Sequence, residues 1–135
     1  MKPQKVLVVD DDANVREFLS RTLKRAGFSV LTASDGCEVA ELVATTAIDL
    51  LVLDLQMPGM NGWEVIRSVR DQLNAAQLRG RAHPKIVVVS GRDEDETAAF
   101  VRRLGADAFL RKPLWGQQLV RTIRSVLAAA PPSAA

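Results

Sequence analysis

The segment Lys5–Val15, KVLVVDDDANV, places four apolar residues directly before three carboxylates, Asp10, Asp11 and Asp12, near the start of a 135-residue chain. The apolar run, ending where the acids begin, predicts a buried strand, β1 (5–9). The following VREFLSRTLKRAG carries Val15, Phe18, Leu19 and Leu23 at helical spacing and closes on Gly27, which predicts a helix, α1, ending near residue 26. A buried strand thus ends in concentrated negative charge and hands over to a helix.

The same handover recurs along the chain. SVLTA predicts β2 (29–33), and GCEVAELVATT predicts α2 (36–46) with Val39, Leu42 and Val43 facing inward. DLLVLD predicts β3 (49–54), apolar on both faces from Leu50 to Leu53 as a central strand of a covered sheet would be, followed by the tight segment MPGMNG. Val65, Ile66, Val69 and Leu73 mark α3 (62–73), after which a long connection, NAAQLRGRAHP, leads to β4, KIVVVS (85–90). RDEDETAAFVRRLG has acids in its first turn and arginines in its last, which complements a helix dipole and predicts α4 (93–104). DAFLR predicts β5 (107–111), and α5 (114–127) is expected to bury Leu119, Val120, Ile123, Val126 and Leu127. Five such alternations predict an α/β fold built on a parallel sheet.

Size and composition narrow the function. A chain of 135 residues suits one domain, expected over residues 1–128, with 129–135 as a flexible Ala/Pro tail or the start of a linker. Hydrophobic residues make up 47% and charged ones 25%, and no apolar run nears the roughly 18 residues of a membrane span, so a soluble protein is expected. The first residues lack a signal-peptide pattern, which points to the cytoplasm. A net charge of +2 with dispersed basic residues, none interleaved with aromatics, argues against direct nucleic-acid binding. The lone cysteine, Cys37, is expected to be a semi-buried filler, and the lone histidine, His83, a solvated loop residue.

In open α/β sheets ligands bind beyond the carboxyl ends of the strands. There β1 ends in Asp10 and Asp11, β3 in Asp54, β4 in Ser90, and β5 in Arg111 and Lys112. Three ionised carboxylates against one lysine leave an excess of negative charge, and a divalent cation offsets it. All-oxygen ligation with few protein carboxylates suits Mg²⁺. Asp12 is expected to cap α1.

With these residues placed, the chain resembles the receiver domain of two-component response regulators, from Lys5 to about Leu127. VLVVDDD resembles the family's acid pair, LVLDLQMPGMNG its phosphorylation loop, VVVSG its hydroxyl after the fourth strand, and FLRKPL its lysine before a proline. The resemblance implies a flavodoxin-like (βα)5 doubly wound fold with five parallel strands in the order 2-1-3-4-5. It implies that Asp54 is the phospho-acceptor, that Asp10, Asp11, Asp54 and the Gln56 backbone carbonyl hold Mg²⁺, with Asp10 acting mainly through a metal-bound water, and that Lys112 and Ser90 contact the phosphoryl oxygens. Ser90 and Phe109 match the family's switch positions, and Gln56 and Arg92 those that tune attack by water. The implied partner is a sensor histidine kinase or a histidine phosphotransfer protein, with an effector domain or downstream protein as output and a homodimer through the α4–β5–α5 face as a further arrangement. So read, the chain is a signalling phospho-acceptor that promotes its own phosphorylation and dephosphorylation, and not an enzyme with a turnover substrate. The competing reading is a small Mg²⁺-dependent phosphatase or phosphotransferase using Asp10 and Asp12 as a D-x-D pair.

Overall fold

The computed structural model describes residues 3–54, 64, 67, 71, 84–90, 105–111 and 116–129, with the backbone alone at Gly36, Ala40 and Ser90. β1 (Lys5–Val9), β2 (Ser29–Ala33), β3 (Leu50–Asp54), β4 (Lys85–Ser90) and β5 (Ala108–Arg111) form one sheet in the order β2-β1-β3-β4-β5. Every neighbouring pair is parallel. The expected flavodoxin-like doubly wound order is therefore the observed one. β3 lies in the middle and is buried along its whole length, which explains its lack of any apolar/polar alternation.

Alternate residues of the strands feed two cores. Leu7, Val9, Leu51, Leu53 and Val88 pack with Val39 and Val43 of α2 (Gly36–Thr45) on one face. Val6, Val8, Leu50, Val52 and Val87 pack on the other face with Leu19 and Leu23 of α1 (Ala13–Arg25) and Leu119 and Ile123 of α5 (Gly116–Ala128). Val120, Val126 and Leu127 of α5 are only partly buried against that cluster. Of α3, Glu64, Arg67 and Asp71 are described, and they are helical and exposed; α4 lies outside the described residues. No helix among the described residues is long and apolar enough to cross a membrane.

Local chemistry sets the helix ends. Asp12 caps α1, its Oδ1 accepting the N–H groups of Asn14 at 2.9 Å and Val15 at 3.4 Å, so the helix starts at Ala13, earlier than its first apolar residue suggests. At the other end the Gly27 N–H donates to the Lys24 carbonyl and the Phe28 N–H to the Leu23 carbonyl, a Schellman pattern that needs the positive φ of 100° found at Gly27.

Two sequence expectations are corrected. Phe18 is not part of the buried stripe but 51% exposed, because it lies off the edge of the face defined by Leu19 and Leu23. Cys37 is exposed rather than semi-buried, since it stands in the first turn of α2 beside the Asp35 cap, while Val39 and Val43 take the inward positions.

Candidate functional site

The pairing register brings distant strand ends together. Val9 is level with Leu53, so Asp10 and Asp54, one residue further on in each chain direction, emerge side by side at the carboxyl edge of the sheet. Asp54 is in turn level with Val89, one residue before Ser90. One carboxylate oxygen from each of Asp10, Asp11 and Asp54 lies within 4.8 Å of the others. Asp11 is exposed, whereas Asp10 and Asp54 are 3% and 4% exposed and are the buried charged side chains among the described residues. Burying carboxylates is costly unless they are paired, hydrogen-bonded or bound to a cation.

Asp10 is braced from several directions. Its N–H donates to the Ala33 carbonyl at 3.2 Å, its Oδ1 accepts the Asp12 N–H at 3.0 Å, and its carbonyl accepts a 2.6 Å hydrogen bond from Arg16 Nη1. The donor set, three carboxylates with no histidine nitrogen or cysteine sulfur in the group, fits a hard divalent cation that keeps part of its water shell, as Mg²⁺ does.

Of the other residues singled out in the sequence, the backbone of Ser90 ends β4, in register with Arg111. Phe109 lies on β5 in register with Val88 and is half-buried against the α2-side core. Gln56, Arg92 and Lys112 lie outside the described residues. Asp12 is not a member of the acid cluster, and its carboxylate is committed to capping α1, so the D-x-D phosphatase reading is not favoured. Arg16 was missed. The available signal was a cation three residues before Leu19 and seven before Leu23, on the inward stripe of α1 where a solvated side chain is not expected.

Comparison with known proteins agrees with this geometry. The family model described as the response regulator receiver domain matches residues 6–124. Response regulator MprA of Mycobacterium sp. (strain KMS) is 38% identical over 125 residues, covering 93% of this chain and 51% of that protein. MprA of Mycobacterium leprae (strain TN) is 40% identical over 123 residues, 91% of this chain and 50% of that one. The chain thus spans about half the length of these curated relatives. Among solved structures, the chemotaxis protein CheY4 of Vibrio cholerae superposes with a TM-score of 0.81 at 31% identity, covering 93% of this chain and 99% of that one. A doubly wound sheet with an acid cluster at its carboxyl edge and a match along nearly the whole chain lead to one conclusion: the chain belongs to the response regulator receiver domains, the phospho-accepting modules of two-component systems.

Proposed function

We propose that Asp54 is the residue that accepts the phosphoryl group, from a phosphohistidine on a sensor histidine kinase or histidine phosphotransfer protein in the cytoplasm. One observation carries the reading: Asp54 is a buried carboxylate at the end of the central strand, and its oxygen converges with those of Asp10 and Asp11 within 4.8 Å. An ionised carboxylate needs no separate base, so an Asp54 oxygen attacks phosphorus, the P–N bond breaks, and its electron pair stays on the departing imidazole. Asp10, Asp11, Asp54 and the Gln56 carbonyl would hold Mg²⁺, which supplies positive charge to the phosphoryl oxygens when bound. Lys112 pairs with one of those oxygens and Ser90 hydrogen-bonds another. The resulting acyl phosphate is open to hydrolysis, and Gln56 and Arg92 tune access of the water.

Phosphorylation favours the state in which Ser90 contacts the phosphoryl group and Phe109 turns inward, altering the face around α4, β5 and α5. That face would then meet an effector domain, a downstream protein or a second copy of the chain, with residues 129–135 serving as a tail or linker after the domain.

The test uses a small phosphodonor such as acetyl phosphate with Mg²⁺. A single label is expected, dependent on Mg²⁺ and abolished by Asp54→Ala. Label retained in that variant but lost from Asp10→Ala would overturn the assignment.

A further inference from the structure

Arg16 reaches from the first turn of α1 into the turn that carries the acids. Its Nη1 donates to the Asp10 carbonyl at 2.6 Å in a part-buried contact. The Arg16 N–H donates to the Asp12 carbonyl at 2.9 Å, and the Asp12 N–H returns to Asp10 Oδ1 at 3.0 Å. These bonds close a frame through Asp10, Asp12 and Arg16, and the Asp10 N–H anchors it to Ala33 on β2. Asp11 lies between the two braced aspartates, and its exposed carboxylate is one of the three that converge. The frame thus surrounds the peptide that decides where two of those carboxylates point.

We infer that Arg16 is a positioning residue for the cation site: by holding the Asp10 carbonyl it sets the Asp10–Asp11 peptide, and with it the presentation of both carboxylates to Asp54. The inference rests on reading the acid cluster as a Mg²⁺ site. A guanidinium donor makes a strong, directional hydrogen bond, and outer-shell partners that orient ligands are commonly worth at least about tenfold in metal affinity. Two other roles predict different results. A cation acting by charge alone repels a divalent ion, so its removal would tighten Mg²⁺ binding. A side chain that only packs would change stability and leave Mg²⁺ affinity where it was. The sign of the change therefore separates positioning from charge and from packing.

The experiment follows the melting temperature of the full chain across a Mg²⁺ series for the wild type, Arg16→Met and Arg16→Lys. The concentration dependence of the stabilisation yields a dissociation constant separate from each variant's starting stability. Arg16→Met keeps the apolar stem and removes the donors. It is expected to weaken Mg²⁺ binding about tenfold, and Arg16→Lys, which retains a cationic donor, to recover part of the loss. Unchanged or tighter Mg²⁺ binding in Arg16→Met overturns the inference, whatever its starting melting temperature. Failure of the underlying reading looks different: the wild type itself would gain no stability from Mg²⁺ and take no label at Asp54.

Discussion

Asp11 and Asp12 are adjacent in the chain yet belong to different structures, one offered to the acid cluster and one closing the first turn of α1. The cap was legible because capping depends on backbone groups two and three residues away, which the sequence displays directly. Arg16 was not legible in the same way, since its partner is a carbonyl at the end of the preceding strand, reachable only once the turn between them is folded. Phe18 shows the opposite failure. At about 100° per residue it stands about 100° round the helix from Leu19, so it satisfies a loose helical spacing while lying outside the stripe that Leu19 and Leu23 bury. Chemical denaturation should make the difference visible: Leu19→Ala is expected to cost about 2–5 kcal/mol, whereas Phe18→Ser should cost less than about 1 kcal/mol. Equal losses would place Phe18 back in the core.

At the scale of elements, the packing of α1 against α5 depends on a small residue. A Cβ added at Gly116, the first residue of α5, would meet Thr22 Cγ2 at 2.9 Å. Thr22 has little freedom to yield, because it is β-branched and its Oγ1 donates to the Phe18 carbonyl at 2.9 Å. Gly116→Ala therefore sets a steric cost against the gain in helix propensity. Combining it with Thr22→Ser, which removes the methyl and keeps the hydroxyl, is expected to reveal a coupling of at least about 0.5 kcal/mol in a double-mutant cycle, with alanine better tolerated beside serine. Additive effects would show that the two helices do not meet there. The sequence marked both helices through their apolar spacing, but it held no sign that Gly116 faces Thr22, because the contact joins residues far apart in the chain.

Across the whole molecule, the sheet gathers charge that it could have kept apart. With β1 beside β3, Asp10 and Asp54 are neighbours, and Asp11 completes a cluster of three carboxylates whose mutual repulsion a bound cation would offset. Asp11 is exposed, which screens its share. In the absence of Mg²⁺, Asp11→Asn is expected to raise the melting temperature by about 3 °C, equivalent to about 1 kcal/mol for a domain of this size. The same variant should lose most of the Mg²⁺-dependent stabilisation expected of the wild type. A lower melting temperature without Mg²⁺ would show that the cluster does not strain the fold. The alternation of strands and helices, the Asp12 cap, the Gly27 stop and the identity of the acids at the strand ends were all decided by the sequence, since each depends on residues within a turn or two of one another. The strand order was expected through family resemblance rather than from any local pattern. Only the tertiary structure decided which strand ends meet, how the Asp10 carbonyl is held by Arg16, and which apolar or thiol side chains remain outside the core. Those outcomes follow from burial and pairing across the whole sheet, where groups distant in the chain compete for the same space and the same hydrogen bonds.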